Sequence, residues 1–315
     1  MDAGVPMARL IRNGWEEALH AGHAVIVAPD GSLEQTWGRP EDAYLPRSSA
    51  KPLQLTGMLG AGLDLAGPQL AICASSHNGE AFHLDTIRAI LADGDLSVDD
   101  LQNVPGLPYS QKAMLEWVHA GGGLSSLTQN CSGKHSAMLR TARALGARTS
   151  DYLDPEHPVQ RAAIAGIERL AGERISYLAT DGCGAPVVAI SLVGLARAYS
   201  RLVQGPPDSP EGRVARAMST HPEYIGGDDR DVTKFMRAVP GAVAKDGAEC
   251  VHVVALPGGR AGAVKVSDGS ERTRSAVAVG LLRHLGITDE EALAAASPAP
   301  VTGGGKPVGH IEAVF

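Results

Sequence analysis

The sequence predicts an α+β fold: an antiparallel sheet built from both chain ends and covered by helices, with an all-helical region inserted between them. Two observations carry this. The segment AVIVAPDGSLEQTWG (residues 24–38) alternates apolar and polar side chains around Asp30-Gly31, a pair suited to a tight turn between antiparallel strands. Near the other end, ECVHVVALPGGRAGAVKVSDG (249–269) repeats the pattern around Pro257-Gly258-Gly259. Between these hairpins the apolar spacing changes to i, i+3, i+4. It does so in PLQLTGMLGAG, HLDTIRAILADG, KHSAMLRTARALG, PVQRAAIAGIERLAG and PVVAISLVGLARAYSRLV. RTRSAVAVGLLRHLG, after the second hairpin, adds another helix. The expectation is one domain over residues 1–315, with sheet at about 20–45 and 240–270 and helices over about 80–235.

Composition excludes several classes of function. The 28 basic residues against 35 acidic give a net charge of −7, with no basic run to neutralise a phosphate backbone, so nucleic acid is not an expected partner. The N-terminal segment lacks an uninterrupted apolar stretch, and no later one reaches membrane-spanning length. A soluble, cytoplasmic protein is expected. Four dispersed cysteines without CxxC pairs do not make a disulfide scaffold. Aromatic residues are only 4% of the chain, so the core must be aliphatic and its elements closely packed.

The chemistry concentrates in RSSAKPLQ (47–54). Residues three apart on a helix share a face, so Ser48 and Lys51 can bring hydroxyl and amine together, the neutral amine acting as the serine's base. Pro52 is tolerated if the helix starts near Ser48 or Ser49, because first-turn N–H groups have no intrahelical partner. Lys51 then lies near the positive end of the helix dipole, which disfavours its charged form. Taken singly, SxxK reads more simply as a serine cap and a solvated lysine. Ser76-His77-Asn78 matches the SxN pattern, and Lys245-Asp246-Gly247 takes the place of the KTG strand motif of penicillin-recognising serine enzymes, in the right order. Asp246 stands where those enzymes carry a hydroxyl.

A second constellation pairs NCSGKHSAM (130–138) with TDGCGAPVV (180–188). Cys131 precedes one predicted helix, with Ser132 as its cap, and Cys183 precedes another, with Pro186 in its first turn. Helix dipoles would favour both thiolates. Two buried structural cysteines explain the pattern equally well, and spacing alone defines no zinc site; His135 is either a third ligand or a core histidine. VTGGGKPVGH (301–310) reads as a loop or lid, and HPEYIGGDDR (221–230) as the border of a pocket or, more simply, a solvated turn.

Together RSSAKP, SSHNGE, NCSGKH, TDGCGAP and AKDGAE make the chain resemble, from about Arg9 to its C-terminus, the asparaginase II family of the SxxK, zinc-containing type. The resemblance implies a fold like the serine β-lactamases and serine glutaminases, and hydrolysis of L-asparagine to L-aspartate and ammonia, usually by a homodimer. It implies that Ser48 with Lys51 and Ser76 with Lys245 form adjacent catalytic pairs. Cys131, Lys134 and Cys183 would hold Zn2+. Arg47, Asn78, Asp181, His135 and Gly247 would border the substrate. Either serine can serve as nucleophile, and the SxxK order favours Ser48. Thr302 and Gly303 depart from the pattern, standing where an asparagine is expected. The rival classes are a glutaminase, a penicillin-interacting hydrolase and a non-catalytic amino-acid sensor.

Overall fold

In the computed structural model, which describes residues 3–315, the chain opens with β1 (Val5–Arg12), β2 (Trp15–Val27), β3 (Leu33–Trp37) and β4 (Ala43–Tyr44). A 3-10 turn, Arg47–Ala50, leads into α1 (Lys51–Gly60), followed by α2 (Gly67–Cys73), α3 (Ala81–Ala92), α4 (Gln111–His119), α5 (Ser132–Ala144) and α6 (Pro158–Ala171). Next come β5 (Tyr177–Thr180), β6 (Pro186–Ser191), α7 (Leu192–Val203), α8 (Pro210–Thr220) and α9 (Asp231–Ala238). The C-terminal part holds β7 (Val243–Gly247), β8 (Val251–Ala255), β9 (Ala261–Val266), α10 (Arg274–His284), α11 (Glu290–Ala296), β10 (Val301–Gly303) and β11 (Lys306–Ala313).

The main sheet runs β10-β11-β1-β2-β9-β8-β7, with β3 also paired to β2. All its pairings are antiparallel, and both chain ends contribute, as expected from the hairpins. The long β2 serves three neighbours: its first part pairs with β1, and its last residues pair with β9 on one side and β3 on the other. Those last residues, Ala24–Val27, are buried without alternation, with α7 packed against the strand. A smaller sheet, β4-β6-β5, lies beside it.

Three expectations are corrected. The sheet begins earlier than residue 20, because Asn13 and Gly14, both at positive φ (48° and 81°), close a β1–β2 hairpin. Segment 186–203 is a strand followed by a helix, not one helix. Its β-branched first half PVVAIS is wholly buried, and Ser191 caps α7 by accepting from the Gly194 N–H (2.8 Å). Residues 301–310 form most of the β10–β11 hairpin rather than a loop. Thr302 and Gly303 therefore sit at the sheet edge opposite β7, not beside the motif strand.

The aliphatic composition shows in how α1 crosses α6. A Cβ on Gly57 would lie 1.9 Å from the Ala162 carbonyl oxygen, and one on Gly166 would lie 2.7 Å from the Gly57 nitrogen. Only backbone against backbone fits there. Gly57→Ala should lower stability by about 1–3 kcal/mol, read as a lower denaturation midpoint with unchanged m-value. An unshifted midpoint would show that the helices can part without penalty. Among the described residues, no helix is long and apolar enough to cross a membrane.

Candidate active site

Five segments converge. The 3-10 turn and the start of α1 bring Arg47, Ser48 and Lys51; the loop after α2 brings Ser75 to Asn78; β7 brings Lys245 to Gly247. The N-terminal turn of α5 brings Cys131 and Lys134, and the turn between β5 and β6 brings Asp181 and Cys183. Lys51 is the first residue of α1, with Pro52 in the first turn, so the proline displaces no helical hydrogen bond.

Lys51 and Lys245 are buried, at 1% and 0% exposure, and both reach Ser76. Lys245 Nζ donates to Ser76 Oγ (2.9 Å), to the Asp246 carboxylate (2.7 Å) and to the Asp246 carbonyl (2.8 Å). Lys51 Nζ donates to the Ser75 carbonyl (2.5 Å) and lies 3.3 Å from Ser76 Oγ. The expected Ser48–Lys51 pair is thus not formed as a hydrogen bond: the amine turns to Ser76, and the half-buried Ser48 hydroxyl makes no hydrogen bond with the described residues. Ser48 remains next to β7, because a Cβ on Gly247 would meet the Pro46 carbonyl oxygen at 2.5 Å and the Ser49 nitrogen at 3.3 Å. Arg47 precedes it at φ +52°, a conformation that strains a residue with a side chain.

Burying the Lys245 amine beside a second lysine costs free energy, and its charge responds. Burial is the main force on Lys245 and, with the Lys51 and Arg230 cations, pushes its amine down to about 8 against the opposing Asp246 carboxylate. Burial would raise the Asp246 carboxyl, yet Lys245, Arg230 and Arg274 outweigh it and hold the group well below the usual range. Activity that depends on the Lys245 ammonium should decline as pH rises through about 8. A kcat–pH profile checks this; Lys245→Arg should remove that limb, and a profile with no decline would contradict the role.

Of the remaining candidates, Arg47 Nε donates to Asp181 Oδ1 (2.8 Å), so these two meet. Asn78 spends its amide N–H groups on Asp229 (2.6 Å) and Glu80 (3.1 Å), leaving a buried oxygen without a partner among the described residues. His135 bonds Tyr152 Oη through Nδ1 (2.8 Å), and its buried Nε2 has no partner among the described residues. Burial, with the nearby Lys134 and Lys51 charges, keeps this imidazole neutral. A cleft of about 640 Å³ opens alongside, lined by Tyr44, Leu45, Arg47, Tyr177, Glu249 and Lys265 among others. It adjoins the site through Arg47, while the lysine pair lies closed behind.

Cys131, Lys134 and Cys183 are buried and together: Lys134 Nζ donates to Cys183 Sγ (3.1 Å), and Asp181 Oδ2 lies 3.9 Å from that sulfur. The hydrogen bond from Cys183 holds the Cys131 thiol well below its usual range despite burial, helped by Lys51 and Lys134. Two details differ from expectation. Cys131 itself, not Ser132, occupies the N-cap of α5, and Cys183 precedes a strand, so no helix dipole acts on it. Ser132 Oγ instead donates to the Leu127 carbonyl (2.7 Å) and meets His77 Nε2 (2.9 Å). Among the described residues, no cluster of three or more His, Cys, Asp and Glu could hold a metal. Two sulfurs, an amine and a nearby carboxylate nevertheless suit a four-coordinate zinc ion, provided that Lys134 gives up its proton.

The profile of the L-asparaginase II family matches residues 8–313. The chain belongs to that family. Its members are described as L-asparaginases, which are amidohydrolases. No curated protein sequence matches the chain. Among solved structures, Mglu in its glutamate form is similar at 15% identity and a TM-score of 0.47, with 86% of this chain and 62% of that one covered. Mglu in its native form in the presence of 4.3M NaCl is similar at 14% identity and a TM-score of 0.42, with 87% and 59% covered. The chain spans less than two thirds of the length of those structures.

Sequence reasoning missed two members of this site. Asp246 is noted only as a departure, yet it holds Lys245, and Arg230 lies in the segment read as a solvated turn. For Asp246 the available signal was a carboxylate next to a motif lysine; Arg230, flanked by Asp229 and Asp231, carried none.

Proposed function

We propose that the chain hydrolyses L-asparagine to L-aspartate and ammonia through a serine and lysine acyl-enzyme mechanism, on a fold of the serine β-lactamase type. The observation that supports it most is the Ser76 hydroxyl between two buried lysine amines at 2.9 and 3.3 Å, an arrangement with a use in proton transfer and a cost in stability.

In this reading Ser48 Oγ attacks the side-chain amide carbon and its proton passes to Lys51. The carbon–nitrogen bond then breaks, and the departing nitrogen takes a proton from Ser76, which recovers one from the adjoining lysines. Ammonia leaves, and an aspartyl ester remains on Ser48. Water attacks the ester and gives a proton to Lys51, which passes it to Ser48 Oγ as the ester bond breaks and aspartate leaves. Lys245, charged at neutral pH, steadies the Ser76 oxygen and the negative charge developing on substrate. Asp181 receives the substrate's α-amino group, Arg47 its α-carboxylate, and Gly247 leaves room for the substrate beside β7. A specific observation favours Ser76 as the alternative nucleophile: it holds both lysine contacts.

Cys131, Lys134 and Cys183 are the residues that would hold Zn2+. When bound, the ion supplies a fixed positive charge orienting the amino-acid end of the substrate. Elemental analysis of protein purified without added zinc should give about one zinc per chain, lost in Cys183→Ser. Full activity without metal would discard the site. Assembly as a homodimer and a cytoplasmic location belong to the same reading; light scattering tests the former.

Ammonia release tests the activity. Asparagine should be the best substrate, with glutamine disfavoured by the about 1–3 kcal/mol that one methylene allows, and small peptides inert. Turnover of penicillin, or no turnover of any amide, would replace this reading with a rival.

A further inference from the structure

Segment 221–230 is folded against the back of the candidate site. The Ile225 carbonyl accepts from the Ser76 N–H (3.0 Å), and the Gly226 carbonyl accepts from the Asn78 N–H (2.7 Å). Arg230 closes the arrangement. It is 8% exposed, and its guanidinium lies over the Tyr109 ring, 4.9 Å from the centroid. Nη2 donates to Asp246 Oδ2 (2.5 Å), while Nη1 reaches the Ser76 carbonyl (3.4 Å). The other Asp246 oxygen accepts from Lys245 Nζ, which in turn donates to Ser76 Oγ. Arg230, Asp246, Lys245 and Ser76 therefore form a closed ring of contacts, spanning the loop after α2, the segment before α9, and β7.

We propose that Arg230 is a positioning residue of the active centre: its planar fork fixes the Ser76 backbone and the Asp246 carboxylate together, and Asp246 in turn aims the Lys245 ammonium at the Ser76 hydroxyl. A lysine at 230 would keep the charge but cannot serve two acceptors with a rigid fork while stacking on Tyr109. The charged and titratable groups around Lys245 and Asp246 are Lys51 from α1, Tyr199 from α7, Arg230, Asp231 from α9, Arg274 from α10 and His252 from β8. Asp246 favours the Lys245 charge, and Arg230 opposes it. This gives the two partners opposite signatures in the Lys245 titration, and the kcat of a charge-conserving variant reports the positioning.

The inference rests on the amidohydrolase reading, so its test has an arm independent of turnover. Protein carrying lysine labelled with 13C at Cε is titrated by NMR, with the Lys245 resonance assigned through Lys245→Met. Asp246→Asn should move the Lys245 midpoint to lower pH, and Arg230→Met should move it to higher pH. Arg230→Lys, the variant most certain to fold, should leave the midpoint near that of the parent. Its kcat for asparagine should nevertheless drop about 10²-fold, as expected of misplaced groups, with KM little changed. Parental kcat in Arg230→Lys, or midpoints that move the same way or not at all in folded Asp246→Asn and Arg230→Met, would overturn the proposal. If the parent protein releases no ammonia from any amide, the functional reading fails, while the opposite midpoint shifts still decide the ring of contacts.

Discussion

Ser48→Ala is expected to lower kcat for ammonia release by about 10⁴- to 10⁶-fold, the loss seen when a nucleophile acting as part of a unit is removed. Its structure should survive. The Ser48 hydroxyl is half-buried and bonded to none of the described residues, so deleting it leaves no orphaned partner. The strained Arg47 and the Tyr199 Oη hydrogen bond to the Ser49 carbonyl (2.7 Å) still hold the turn. Ser76→Ala makes the informative contrast. Removing that oxygen leaves Lys245 and Lys51 short of an acceptor in a buried space, so stability should fall by about 1–3 kcal/mol as well as activity. Kinetics and thermal melts of both variants check this. Near-parental turnover in Ser48→Ala, with loss in Ser76→Ala, would transfer the nucleophile's role to Ser76.

Lys51→Met should lower kcat by about 10²- to 10⁴-fold, the usual contribution of a positioned general base. Its effect on stability should go the other way. Methionine fills much of the same space and removes one of two buried amines facing a single hydroxyl. With no carboxylate among the described residues paired to the Lys51 amine, removing it relieves a desolvation cost, and stability should not fall. The Lys51 cation also lowers the Lys245 pKa, so the basic limb of any residual activity should move to higher pH. Denaturant unfolding and a kcat–pH profile read both effects. A variant that is both active and less stable would mean that Lys51 serves the fold rather than the chemistry.

Much of the fold was legible because turn chemistry is local. Asp30-Gly31 and Pro257-Gly258-Gly259 mark their hairpins without tertiary information, and Asn13-Gly14 carries the same signal for β1–β2. Segment 186–203 was harder, since a short buried strand and a buried helix share an apolar run, and periodicity cannot divide them. At the site, SxxK, SxN and KxG supplied residues but not contacts. Spacing puts Lys51 one turn from Ser48, while the direction of its long side chain, which sends the amine to Ser76, is fixed by α2 and β7 packing around it. Arg230 was out of reach for a similar reason. Its partners Asp246, Tyr109 and the Ser76 carbonyl are distant in sequence, and nothing local separates a buried arginine from a solvated one.

The central claim is a covalent one, and rapid acid quench tests it most directly. Protein mixed with excess asparagine, quenched during turnover and digested, should yield an aspartyl ester on the peptide containing Ser48 by mass spectrometry. Steady release of ammonia with no ester on Ser48 or Ser76 would contradict the account.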